Sequence, residues 1–213
     1  MKDLVIVGSG GFAREVEWLV ERINFQKPTW NFLGFIDRDN DNQRVIGDDD
    51  FVLNYSKELS VAIAIGTSNI REKIYSKYKS NSKIKYPNLL DPDVKYSDKI
   101  TMGEGNIICA GSIMTVDIFL GNCNIINLDC TVGHDAHIDD FVTINPSVNI
   151  SGNTHISSGC NIGTGTQIIQ GLTIGKNTIV GAGAVVSKDL PSNCTAVGVP
   201  AKVIKVREEL TNA

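Results

Sequence analysis

Candidates for proton-transfer chemistry are few in this 213-residue chain. It holds three histidines, and all of them (His134, His137 and His155) fall in one stretch. His134 stands between Gly133 and Asp135, so a carboxylate adjoins an imidazole suited to general-base work. No serine or cysteine sits beside it in the position of an activated nucleophile, so a covalent intermediate is not indicated. The competing reading joins the three histidines in a zinc site, the chemistry of a hydratase. A second cluster lies near the N-terminus. Gly8-Ser-Gly10-Gly11-Phe12-Ala13 has the G-x-G-x-x-A form of a turn that brings backbone N–H groups to a phosphate, and Asp37 stands where an acid could hold a ribose.

These residues need elements to position them. From Met102 to Val186 every sixth residue is apolar, fifteen positions in one register: Met102, Ile108, Met114 and so on through Ile174, Val180 and Val186. A second column, four residues after each, is mostly small or apolar, with Ser112, Cys130, Ala136, Val142 and Thr154 among its members. A period of six belongs to neither helix nor ordinary strand. It marks a solenoid in which each hexad is a short strand plus a corner, with both columns pointing inward. Glycine often follows the first column, as at Gly103, Gly121 and Gly133, and is expected to serve the corners through its backbone freedom. Val94 and Ile100 read as an introductory hexad out of phase with the main column.

The first ninety residues follow another pattern. Leu4–Val7, Phe32–Ile36 and Val61–Ile65 read as strands that alternate with helices, one carrying Phe12, Val16, Leu19, Val20 and Ile23 on a single face, another near Ile70–Tyr78. Such alternation builds a Rossmann-like parallel α/β sheet with its ligand at the carboxyl ends of the strands. Those ends carry Gly8–Phe12, Asp37-Arg38 and Gly66. Ninety residues supply about half of a dinucleotide fold, so a nucleoside diphosphate fits better than a dinucleotide. The expected organisation is therefore residues 1–90 as a Rossmann-like nucleotide-binding domain and 91–213 as the solenoid with a C-terminal tail.

The hexad pattern resembles the hexapeptide-repeat acyltransferases, which fold as left-handed parallel β-helices of triangular section. That resemblance implies three hexads per coil, so residues eighteen apart stack. His137 and His155 then stack on one face just ahead of the inward column, pointing to solvent and away from a shared zinc site with His134. Gly152 lies one coil from His134, where its bare N–H could face a reacting carbonyl. Thr164 and Ala182 lie one coil apart on a different edge, where small side chains leave a groove for a long, thin ligand.

More specifically, Gly8-Ser-Gly-Gly-Phe12, Gly34-Phe-Ile-Asp37, Ala64-Ile-Gly66 with Ile70-Arg71, Gly133-His-Asp135 and Gly198-Val-Pro-Ala-Lys202 occur in that order. Together they resemble the bacterial family of nucleotide-activated amino-sugar N-acetyltransferases and sialic acid O-acetyltransferases. The resemblance implies a homotrimer with active sites between subunits and acetyl-CoA as co-substrate, with no metal expected. It makes His134 the base and Asp135 its orienting acid, and gives the Gly152 N–H the thioester carbonyl. Ser151, Gly152, Thr164 and Ala182 line the acetyl-CoA groove; Gly8, Gly10, Gly11 and Phe12 hold phosphates; Asp37 and Arg38, with Gly66 nearby, hold base or ribose. The acceptor is a nucleotide-linked 4-amino-4,6-dideoxysugar, with sialic acid O-acetylation as the alternative and a zinc hydratase of the gamma carbonic anhydrase type as the remote one. Phe12 replaces a histidine frequent in the N-acetyl branch, and Arg38 replaces a second acid. Both departures fall in the nucleotide-sugar site and leave the nucleotide and sugar open.

Composition narrows the field further. A net charge of −4 without a basic block argues against nucleic acid and anionic membrane as partners. No apolar run reaches transmembrane length, and Leu4–Val7 is too short for a signal-peptide core. Five cysteines, odd in number and without CxxC spacing, fit a reduced, cytoplasmic protein.

Overall fold

A computed structural model describes residues 1–38 and 43–207. The N-terminal part is a five-stranded parallel sheet of order β3-β2-β1-β4-β5, formed by β1 (Lys2–Val7), β2 (Trp30–Ile36), β3 (Val45–Gly47), β4 (Leu59–Ile63) and β5 (Ile84–Lys85). Helices α1 (Gly11–Gln26), α2 (Asp49–Leu53) and α3 (Ser68–Tyr78) connect the strands. The apolar face foreseen for α1 is there: Val16, Leu19 and Val20 are buried, and Phe12 and Ile23 pack partly against the same core. The short elements β3, α2 and β5 carry too few residues for a periodic signal.

From Leu89 onward the chain winds into a left-handed parallel β-helix of two-residue strands. Its first face stacks Lys95–Tyr96, Ile113–Met114, Thr131–Val132, Asn149–Ile150, Gln167–Ile168 and Val185–Val186. A second face runs from Thr101–Met102 through Phe119–Leu120, His137–Ile138 and His155–Ile156 to Thr173–Ile174. The third begins at Leu89–Leu90 and closes with Cys194–Val197, against which Lys202–Val206 pairs antiparallel. Residues eighteen apart are register partners from Leu89 to Val186, as His137 is with His155, and the spacing shortens to sixteen at the last rung, where Ile179 pairs with Thr195. Fourteen of the fifteen residues of the first inward column are buried, and Met102, at the open end, is partly so. Residues 208–213 of the expected tail lie outside the described residues.

Two expectations need correction. Val94 and Ile100 are not out of phase: they occupy the second column, four residues after Leu90 and Tyr96, and both pack on the core. Nor do the glycines that follow the first column supply the unusual backbone. The left-handed conformation falls two residues later, at every sixth position from Gly105 to Gly183, and eight of these fourteen residues are not glycine. Gly133 and its equivalents are there because the next coil comes too close. A Cβ on Gly133 would meet the nitrogen of Gly152 at 2.6 Å.

The small domain is seated on the third face. Ile107, Cys109 and Leu128 join the cluster under α1, while Cys123 and Phe141 join the one under α3. Arg71 of α3 is 1% exposed and donates to Ile65 O, Cys123 O, Phe141 O and Thr143 Oγ1 at 2.6–3.0 Å. Burial lowers its guanidinium to about 10. Cys123 and Phe141 are two of the left-handed residues, so one side chain satisfies the carbonyls of two strained corners. Arg22 of α1 ties the same domain to the first coil through Asp91 (2.7 Å) and Asp93 (2.7 Å).

Candidate active site

His134 and Asp135 follow the strand Thr131–Val132 at the edge between the first and second faces. The coil requires a left-handed residue at position 135, and aspartate tolerates that conformation better than most (φ 57°). In this conformation the Asp135 carboxylate reaches the preceding ring: Oδ2 lies 2.7 Å from His134 Nδ1. An ionised carboxylate only accepts, so Nδ1 carries the proton and Nε2 presents its lone pair. Both side chains are more than half exposed, open to an incoming substrate.

The ring lies directly over Gly152. A Cβ there would come within 2.6 Å of both Cε1 and Nε2. Gly152 is buried, its carbonyl accepts from Gly171, and its N–H donates to no group among the described residues. Asn153 N–H donates to His134 O at 2.7 Å, which fixes the vertical spacing between the two. An imidazole with an open Nε2 and an unpaired N–H are thus stacked on one edge. A tetrahedral oxyanion needs such a donor while the base removes a proton from the attacking group.

Ser151 is exposed on the same edge. Thr164 and Ala182 are exposed on the edge between the third and first faces, bonded through Gly183 N–H to Thr164 O at 2.8 Å. Within one chain they do not meet His134. His137 and His155 are apart from it too: their Nε2 atoms both approach Asp139 Oδ1, at 3.1 and 3.2 Å. A three-histidine zinc site is therefore not formed within the chain among the described residues.

In the small domain a cleft of about 370 Å³ opens at the carboxyl ends of β1, β2 and β4. Gly8, Asp37 and Arg38 line it. Asp37 accepts from Ser9 Oγ at 2.7 Å, which couples the glycine turn to the end of β2. Gly10 caps α1 without a side-chain bond, and no acidic residue occupies the first turn, so the helix start keeps its N–H groups for an anion. Gly10 and Gly11 are exposed there, while Phe12 turns partly into the core. Gly66 is tied to the β-helix, its carbonyl accepting from Thr143 Oγ1 at 2.8 Å.

Two lysines in this cleft, Lys73 and Lys77, escaped the sequence reading. Ile70, Lys73, Ile74 and Lys77 share one side of α3 at i, i+3, i+4 and i+7, and a helical projection would have shown basic residues on a face that also carries isoleucines. Lys77 pairs with Asp49 at 2.6 Å; Lys73 forms no ion pair among the described residues.

Comparison with known proteins agrees with this layout. Residues 3–78 match the PglD N-terminal domain family. The acetyltransferase domain of PglB from Neisseria gonorrhoeae, solved with acetyl coenzyme A, is 31% identical over 95% of this chain and 99% of its own, with a TM-score of 0.89. A mutant perosamine N-acetyltransferase from Caulobacter crescentus, solved with CoA and GDP-perosamine, is 29% identical over 96% of this chain and 98% of its own (TM-score 0.90). WeeI from Acinetobacter baumannii is 31% identical, covering 96% and 100% (TM-score 0.85). No curated protein sequence matches the chain.

Proposed function

Because this chain belongs to the bacterial family of nucleotide-sugar amino-sugar acetyltransferases, and is an acetyltransferase with acetyl-CoA as co-substrate, we propose that it N-acetylates a nucleotide-linked 4-amino-4,6-dideoxysugar. The observation that carries this reading is the His134–Asp135 pair held over the free N–H of Gly152. The perosamine enzyme, similar along nearly its whole length, binds a GDP-linked amino sugar and supports the choice of acceptor.

In the proposed reaction the sugar amine attacks the thioester carbonyl. A C–N bond forms, the C–S bond breaks and CoA leaves as thiolate. His134 Nε2 takes the proton that the nitrogen sheds, worth about 10²–10⁴-fold. The Gly152 N–H stabilises the oxyanion by about 2–4 kcal/mol. Direct transfer is supported by the cysteines. All five are buried, and burial pushes the thiols of Cys109, Cys123 and Cys160 up to about 12 and that of Cys130 to about 11. Thiols held in that range do not serve as nucleophiles near neutral pH.

The assembly we infer is a homotrimer. The cleft belongs to a domain seated on the third face, whereas His134 stands on the edge opposite that face. A sugar held in the cleft would meet the His134 of a neighbouring copy, and the groove along Ser151 and Gly152 would take its second wall from Thr164 and Ala182 of another. The reaction is assigned to the cytoplasm, and five free thiols fit a reducing compartment. No helix among the described residues is long and apolar enough to cross a membrane.

The test is thiol release from acetyl-CoA with UDP-, dTDP- and GDP-4-amino-4,6-dideoxysugars, alongside free and CMP-activated sialic acid. Turnover with one amino sugar names the nucleotide and supports N-acetylation. Release only with a sialic acid overturns it in favour of O-acetylation.

A further inference from the structure

The second face carries a cluster that the reaction does not use. His137 and His155 are register partners one coil apart, and Asp139 follows at the next edge. Their ligand atoms lie within 4.8 Å of one another. Asp139 Oδ1 is 3.1 Å from His137 Nε2 and 3.2 Å from His155 Nε2. A metal with bonds of about 2.0–2.2 Å to nitrogen and oxygen sets tetrahedral ligand atoms about 3.3–3.6 Å apart. Both carboxylate–imidazole spacings are thus within a few tenths of an ångström of what an ion needs. The third spacing, between the two imidazoles, is no more than 4.8 Å.

The rings are also partly held in place. Phe119, one coil before, stacks on His137 with centroids 4.4 Å apart and planes 16° apart. His155 meets His137 edge-on at 5.0 Å and 84°. The side chains are 50%, 30% and 44% exposed for His137, Asp139 and His155, so an ion can enter and a coordination position stays open to water. His134 is not part of the cluster.

We propose that His137, Asp139 and His155 bind a divalent first-row transition-metal ion, with zinc as the probe, as a structural staple between successive coils. Two imidazoles and one carboxylate form a donor set suited to such ions. The ion ties a residue of one rung to its partner on the next, so binding favours the folded coil over the unfolded chain. This site stands apart from the acetyl-transfer reading and survives if that reading fails.

The experiment is calorimetric titration of tag-free, chelator-treated, full-length protein with zinc, repeated for His137→Gln, His155→Gln and His134→Gln. Thermal melts with and without zinc run in parallel, after circular dichroism shows each variant folded. Saturable binding at micromolar zinc is expected, with a rise in Tm. Both effects should weaken at least about tenfold in affinity in His137→Gln and His155→Gln, and persist in His134→Gln. No saturable binding, equal affinity in His155→Gln, or loss of binding in His134→Gln alone would each overturn the assignment.

Discussion

The imidazole of His134 rests on the Cα of Gly152, one coil on, with no room for a methyl group between them. Gly152→Ala therefore displaces the imidazole proposed as the base and disturbs the N–H beneath it. The expected loss in kcat is about 10²–10³-fold. Steady-state thiol release is the measurement; a kcat within twofold of the parent would show that the contact is unimportant.

Asp135→Asn replaces an acceptor with an amide that can turn a donor toward Nδ1 and favour the wrong tautomer. A fall in kcat of about 10²-fold or more is expected, with the apparent affinity for acetyl-CoA preserved. His134→Ala should lose at least as much. Because the two residues act as a unit, the double variant should be little worse than His134→Ala alone.

Arg71→Met tests the joint between the domains. It removes a buried cation bonded to four neutral oxygens and leaves the carbonyls of Cys123 and Phe141 unpaired. A loss of about 3 kcal/mol or more in urea unfolding is expected, since each bond to a charged donor contributes about 1.5–3 kcal/mol. A shift under 1 kcal/mol would mean that water replaces the guanidinium.

The cysteines should be silent. With the Cys109 thiol pushed up to about 12 by burial, and Cys123 and Cys160 likewise, a thiol reagent at pH 8 should label none of the five in the native protein. All should react in concentrated urea. Rapid native labelling of any one would place a reactive thiol where none is expected.

Asp49 should govern part of the acid response of the small domain. Burial alone would raise its carboxyl, but hydrogen bonds from Lys77 and Tyr78 and the charge of Arg38 hold it below the usual value. A carboxylate depressed on folding contributes stability above its unfolded pKa, near 3.9, and loses it as pH falls through the folded value. Melts between pH 6 and pH 3 should show a steeper decline for the parent than for Asp49→Asn.

The β-helix was readable because each coil repeats the same burial requirement, which keeps residues from Met102 to Val186 in one column. The conformation of its corners was not. Left-handed positions here hold Asp117, Cys123, Asp135, Phe141 and Asn153 as readily as glycine, so no single residue type marks the column. Asn106 and Asn124 hid for the same reason: polar letters in an inward column, they form a buried ladder with Asn88 in which each side-chain oxygen accepts from the backbone one coil on. The stacking of His134 on Gly152 was legible because a spacing of eighteen converts directly into adjacency, and Asp135 is the next residue in the chain. Lys73 was not, because α3 reads first as a packing element, and only the cleft beside it shows which way its basic side faces.

That spacing of eighteen also makes the backbone ladder a ruler. The gap between the His134 imidazole and the Gly152 N–H is set by hydrogen bonds such as Asn153 N–H to His134 O, not by how two side chains happen to pack. Insertions between positions 134 and 152 therefore have only bad lengths. One hexad would carry Gly152 to another edge, and a whole coil would keep it on the right edge but a rung too far. Whole coils added beyond Thr164 or Ala182 would leave the gap unchanged. The prism can grow longer over evolutionary time without recalibrating its chemistry, provided it grows from the far end.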